Sequence, residues 1–102
     1  MNKMTNRFGL PPDTTLKLKN LFQKYPKIKK VVLYGSRATG KFRDNSDIDI
    51  SLFAPEMNLS ECLKIENEID DLLLPYKVDL SLFHSIDNPA LKKHIEDVGI
   101  DF

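Results

Sequence analysis

Residues 31–53 run V-V-L-Y-G-S-R-A-T-G-K-F-R-D-N-S-D-I-D-I-S-L-F. Val31 to Tyr34 is a short apolar run, β-branched at its start, which predicts a buried strand. Gly35 to Ser46 is polar and punctuated by glycine, which predicts a short helix opening at Ser36 and a turn around Asp44-Asn45. From Asp47 to Phe53 the residues alternate. Ile48, Ile50 and Leu52 point one way and Asp47, Asp49 and Ser51 the other, the period of a strand with one buried face.

Upstream, Leu18, Leu21, Phe22 and Tyr25 fall on one face of a helix that starts near Pro11-Pro12 and ends at Tyr25-Pro26. Lys27 to Lys30 read as a solvated basic connector, and residues 1–9 as a loose leader. Downstream, Asn58 followed by Glu61 predicts a capping box. Leu59, Cys62, Leu63, Ile69, Leu72 and Leu73 form the apolar stripe of that helix, and Pro75 stops it. Lys77 to Phe83 alternates again, with Val78, Leu80 and Leu82 against Asp79 and Ser81. Asn88-Pro89 then opens a last helix, with Leu91, Ile95 and Val98 as its stripe and Gly99 as its end. The predicted order is α-β-α-β-α-β-α. The two later strands share a pentapeptide, D-x-S-L-F, at Asp49–Phe53 and Asp79–Phe83. A right-handed crossover through the intervening helix would make these strands parallel neighbours. Asp47, Asp49 and Asp79 would then converge at one edge of one sheet face.

The chain has 102 residues, 41% hydrophobic and 29% charged. This fits one domain spanning 1–102 and argues against wholesale disorder. No apolar run approaches the roughly 20 residues that span a bilayer. Met1 to Phe8 lacks the apolar core of a secretory signal. The single cysteine, Cys62, rules out an internal disulfide framework and a cysteine-rich zinc site, and fits a reducing, cytoplasmic setting. It reads as a small core residue.

The zero net charge conceals a split between Arg43 and Asp44. Residues 1–43 carry eleven Lys and Arg against one acid, Asp13, a net of +10. Residues 44–102 carry four basic residues against fourteen acids, a net of −10. Folding can mix the halves. It can also set basic groups facing carboxylates, which suits a polyphosphate with divalent metals. Without a basic stripe interleaved with aromatics, direct nucleic-acid binding is disfavoured.

Carboxylates at i and i+2 of a strand share a side, and like charges a few ångströms apart resist joint ionisation. A cation between them removes the conflict, and Mg²⁺ takes hard oxygens from one or two carboxylates plus substrate phosphates. D-x-D alone can equally be an exposed polar face. The upstream corner adds weight, since glycine lets a phosphate approach and amides at a helix start donate to it. Ser36 can add a hydroxyl, and Arg37, Lys41 and Arg43 lie within reach of further phosphate oxygens or a base. The corner is not a P-loop, because G-x-x-x-x-G-K-[ST] is absent.

G-S-R-A-T-G-K-F-R-D-N-S-D-I-D-I resembles the signature of the minimal nucleotidyltransferase (MNT) domains of the DNA polymerase β superfamily, many of them antitoxins paired with a HEPN-domain toxin. Gly35-Ser36, ten residues, then Asp47-x-Asp49 matches the family spacing. Asp79 stands where the family has its third carboxylate. The resemblance implies that Gly35 and Ser36 hold the triphosphate, and that Asp47 and Asp49 bind two Mg²⁺ ions. Asp79 would be a further metal ligand and a base. It also implies ATP as donor and a tyrosine hydroxyl of a HEPN partner as acceptor. Many relatives carry a basic residue where this chain has Thr39.

The expectation is therefore a small α/β (α+β) domain, a palm-like mixed sheet with helices mainly on one face. It would move AMP from ATP to an acceptor hydroxyl, with the acceptor surface supplied by another chain, so that a homo- or hetero-oligomer is in view. Two other readings use the same residues: a non-catalytic module that neutralises a partner by contact, and a transferase for antibiotic-like small molecules. His84 and His94 read as structural or surface residues, and Tyr34, Phe53 and Phe83 as core.

Overall fold

The computed structural model describes residues 8–102. Helix α1 (Pro12–Gln23) carries proline in its first turn and buries Thr14, Leu18, Leu21 and Phe22. Helix α3 (Leu59–Asp71) opens with the expected capping box. Glu61 N donates to Asn58 Oδ1 at 2.9 Å, and Asn58 N donates to Glu61 Oε1 at 3.0 Å. Such a cap contributes about 1 kcal/mol. Helix α4 (Pro89–Val98) is capped by Asn88, whose Oδ1 accepts from the amides of Ala90 and Leu91.

Strands β1 (Lys30–Tyr34), β2 (Ile48–Phe53), β3 (Val78–Leu82) and β4 (Ile100–Asp101) lie in the order β3-β2-β1-β4. β1 is antiparallel to β2 and to β4, whereas β2 and β3 are parallel, as the shared pentapeptide suggested. The sheet is therefore mixed. Helices α1 and α3 cover the face that carries Leu33, Ile48, Ile50, Leu52, Leu80 and Leu82. On the opposite face, Ile95 of α4 packs against Val32 and Tyr34, beside Phe53 and Phe83. Two long helices against one agrees with packing mainly on one face. Among the described residues no helix is long and apolar enough to cross a membrane.

Four local expectations are corrected. Gly99 ends α4 as expected, but the predicted order stops there, whereas a fourth strand, Ile100–Asp101, pairs with Val32 and Leu33 of β1. A side chain at 99 would meet Ile95 O at 2.3 Å and Val32 Cγ1 at 2.4 Å, so glycine permits this reversal. Phe83 leaves its strand and starts a 3₁₀ turn, Phe83–Ser85. Of the predicted leader, residues 1–7 fall outside the described residues. Phe8 is buried in the main core, its ring 5.9 Å from that of Phe102, and Gly9 lies against the Phe42 ring. Finally, the core face of α3 is Cys62, Ile65 and Ile69, while Leu59, Leu63 and Leu73 are exposed.

A polar contact ties α1 to α3. The Tyr25 hydroxyl donates to Glu68 Oε1, and Lys24 pairs with the same carboxylate. The phenol is pushed up to about 12, first by the Glu68 hydrogen bond, then by burial and the nearby charge. A folded pKa above the unfolded value means the contact stabilises fully below pH ~10 and is lost as pH rises towards 12. Alkaline titration of tyrosine absorbance should show this delayed phenol, and Glu68→Gln should return it towards the ordinary value.

Candidate active site

At the end of β1 the chain turns through Gly35, whose φ of 74° and ψ of −153° lie in a region reserved almost wholly for glycine. A Cβ there would sit 2.2 Å from Asp49 Oδ2, so the carboxylate lies against the bare face of the glycine. The single-turn helix α2 (Ser36–Thr39) follows, and Ala38 N and Thr39 N both donate to Gly35 O at 3.1 Å. Gly40, with φ of 82°, closes the turn in the left-handed region. Ser36 thus stands at the first position of the turn, half-buried, directly after the glycine that faces the Asp49 carboxylate.

The carboxylates come from the neighbouring strands. Tyr34 is the register partner of Asp49, and Asp49 of Asp79, so one rung crosses three strands. Asp79 is exposed and Asp49 half-buried, with Asp47 exposed just ahead of β2. Burial raises the Asp49 pKa above the usual carboxylate value, the charges of Asp79 and Asp47 raise it further, and His94 opposes them. The three acids therefore feel one another. Among the described residues, however, no three His, Cys, Asp or Glu side chains close around a single ion-sized point. The expected cage is thus a facing pair, Asp49 and Asp79, with Asp47 alongside.

Beneath the acids, on the same face, the shared pentapeptide makes one more rung. Ser51 is the register partner of Ser81, and Ser81 Oγ donates to Ser51 Oγ at 3.2 Å. The Tyr34 hydroxyl also reaches Ser81. Burial dominates the Tyr34 phenol and raises its pKa; the Ser81 contact lowers it, and Asp49 and Asp79 raise it. His94 stands edge-on to the Tyr34 ring, with centroids 6.1 Å apart. Further along, Phe53 and Phe83 stack at 4.2 Å. Sequence reasoning placed Tyr34 in the core, where it is, but missed its polar contact with Ser81. The pentapeptide repeat was the available signal for the serine rung, and nothing local marked His94.

Arg37 is corrected. It is 1% exposed, with its guanidinium turned into the protein. Nη1 donates to Phe8 O at 2.8 Å and Gly9 O at 3.4 Å, Nη2 to Ser46 O at 3.0 Å and Asp44 O at 3.2 Å, and Nε to Ser46 O at 3.2 Å, which uses all five N–H groups. The Phe42 and Tyr76 rings lie 5.1 and 5.0 Å away. Arg37 holds the chain before α1 and the loop before β2 in place, and has no donor to spare for a nucleotide at the Gly35 corner. Lys41 and Arg43 are exposed, and neither takes part in an ion pair among the described residues. The Arg43 amide donates to Ser46 Oγ at 2.7 Å. Thr39 is exposed and donates to Ser36 O. A concavity of about 540 Å³ between Phe22, Tyr25, Lys29, Lys30 and Phe102 lies at the other end of β1, and none of Asp47, Asp49 and Asp79 lines it.

Gly35→Ala should cost twice. The backbone would be strained by about 1–3 kcal/mol, and the new methyl would displace the Asp49 carboxylate. Thermal unfolding should register the first effect, and a loss of nucleotide binding by calorimetry beyond the loss of folded protein the second.

A carboxylate pair on parallel strands, set against a glycine-serine corner at an open sheet edge, has the architecture of a nucleotidyltransferase. Residues 16–101 match the family model described as polymerase beta, nucleotidyltransferase, and the chain belongs to that family. Two Methanocaldococcus jannaschii proteins that carry the name protein adenylyltransferase are similar to it. MJ0126 is 40% identical over 80 residues and MJ1379 42% identical over 82, in each case across 78% of this chain and 80% of theirs. Among solved structures, a toxin–antitoxin crystal structure with AMP-PNP superposes with a TM-score of 0.69 at 26% identity, over 90% of this chain and 72% of that one. The toxin–antitoxin MntA–HepT structure has a TM-score of 0.65 at 22% identity, over 86% and 68% of the two chains, and shares the fold.

Proposed function

We propose that this nucleotidyltransferase moves AMP from ATP to a hydroxyl of another protein, a tyrosine of a HEPN-domain toxin, and thereby acts as its antitoxin in the cytoplasm. The observation that carries this reading is the Asp49–Asp79 rung lying against Gly35. The names of the M. jannaschii relatives and the toxin–antitoxin structure with AMP-PNP support the donor and the acceptor class.

The donor set fits Mg²⁺. It offers hard carboxylate oxygens, and burial first, then the neighbouring acids, hold Asp49 above its ordinary pKa, a penalty that a cation offsets. Asp47, Asp49 and Asp79 would hold two ions together with phosphate oxygens. Bound there, the ions would neutralise charge on the phosphates. Gly35 leaves room for the triphosphate, Ser36 and the amides of its turn donate to it, and Lys41 and Arg43 supply exposed cations beside it. The acceptor hydroxyl oxygen bonds to the α-phosphorus, and the bond from that phosphorus to the bridging oxygen of pyrophosphate breaks. Pyrophosphate leaves and the hydroxyl proton passes to Asp79. Positioning and charge supply most of the rate in such transfers. The acceptor surface belongs to another chain.

The test is incubation with labelled ATP, Mg²⁺ and the protein co-expressed from the neighbouring gene. The expected result is an intact-mass increase of adenylyl groups on a tyrosine of that protein. Rapid modification of free small molecules with no gain on the partner would overturn the reading.

A further inference from the structure

β3 is an outer strand, and its side away from β2 pairs with no strand of the described residues. Beside it a groove of about 350 Å³ runs between α3 and β3, floored by Cys62, Leu80, Leu82 and Ile86 and flanked by Leu59 and Leu63. These two leucines, one helical turn apart, are 65% and 58% exposed, although Ile65 on the same helix is fully buried. Large apolar side chains left in water beside a free strand edge mark an interface.

The polar surroundings have one sign. Glu66 lines the groove, Asp79 precedes Leu80 on β3, and Asp87 follows Ile86. None of these three acids is in an ion pair among the described residues. Lys64 is the single base on α3, against Glu61, Glu66, Glu68, Asp70 and Asp71. A second copy offering the same edge would bring Asp79 and Glu66 towards their own counterparts, and like charges across a strand pair are unfavourable. The complement is an apolar segment with basic flanks.

We propose that the groove receives an extended cationic segment of the acceptor protein. It adds to the free edge of β3, seats two apolar side chains against Leu59 and Leu63, and brings its hydroxyl to Asp79. The inference rests on the protein-acceptor reading given above. Main-chain pairing at a sheet edge gives affinity, and side-chain pockets give selectivity. From Leu82 to Asp79 is about 10 Å along the strand, so a segment seated in the groove passes the carboxylate without further reach. There the hydroxyl oxygen attacks the α-phosphorus, pyrophosphate departs, and the proton goes to Asp79.

The probe is a short synthetic peptide alternating lysine and valine about one tyrosine. A glutamate-for-lysine version and N-acetyltyrosinamide serve as comparisons. In amide spectra of the whole protein, the lysine peptide should shift residues 59–66 and 79–86 and leave α1 unmoved. With ATP and Mg²⁺ it should accept AMP at least about tenfold faster than the glutamate peptide. The L59R/L63R variant, altered only at exposed positions, should lose about tenfold on the lysine peptide and keep the wild-type rate on N-acetyltyrosinamide. Shifts elsewhere or none, undiminished transfer by L59R/L63R, or a wild-type dimer that L59R/L63R dissociates would overturn the proposal, the last by giving the groove to a second copy. If the peptide binds the groove but wild-type protein adenylylates none of the three compounds, the transfer reading fails while the docking surface stands.

Discussion

Asn at both positions 47 and 49 is expected to reduce AMP transfer by a factor of about a thousand or more, a loss of the size seen when charge-stabilising groups leave an active site. The fold should survive. Asp47 is exposed, and Asp49 is an acid whose pKa is raised in the folded state, by burial first and then by Asp79 and Asp47. Such a group binds its proton more tightly when folded, so it opposes folding once the pH exceeds its unfolded pKa. Asparagine has the shape without the charge. The melting temperature should hold or rise, and the complex with the partner should persist. Intact-mass measurement on the partner reads transfer, and differential scanning fluorimetry reads stability. A double variant that still protects cells from the toxin would favour neutralisation by contact over catalysis.

The second large effect falls on stability. Arg37→Met should cost about 3–5 kcal/mol, because a buried guanidinium with five donations to backbone carbonyls is replaced by a group with none. In a domain of this size each kcal/mol moves the midpoint by about 4–8 °C, and total stability is only about 5–15 kcal/mol. Arg37→Lys should fall between, since an ammonium cannot form the planar fork. Where protein remains folded, the KM for ATP should stay near the wild-type value. A raised KM with an unchanged melting temperature would restore Arg37 to the nucleotide site.

The contrast between Arg37 and Asp79 shows what could be read from the chain. The alternation of Ile48, Ile50 and Leu52, the capping box at Asn58 and Glu61, and the repeated pentapeptide are local patterns with a fixed period. They carry the strands, the helix start and the Asp49–Asp79 pairing. The direction of Arg37 is not local. It depends on Phe8 and Ser46 lying on the same side of a one-turn helix, and a cation just after glycine and serine looks the same whether it faces phosphate or carbonyls. β4 is two residues long, too short to show a period, and is held by pairing to β1. Leu59 and Leu63 fit the helical stripe as well as Ile65 does; only the position of β3 decides which of them meets the core. Tyr34, Ser81 and His94 meet through tertiary packing, with sequence separations that no short window spans.

The matched pentapeptides also govern alignment. Sliding β3 by two residues along β2 would keep every leucine inward, yet it would set Asp49 opposite Ser81 and Ser51 opposite Phe83. The in-step arrangement is fastened at its far end by the Phe53–Phe83 stack, worth about 0.5–1.5 kcal/mol beyond its buried area and lying about 13 Å along the strand from the acids. Two anions that repel each other are thus kept abreast by phenyl rings four residues away along the chain. An inactive descendant of this protein could retain all three aspartates and owe its silence to a lost aromatic four residues downstream.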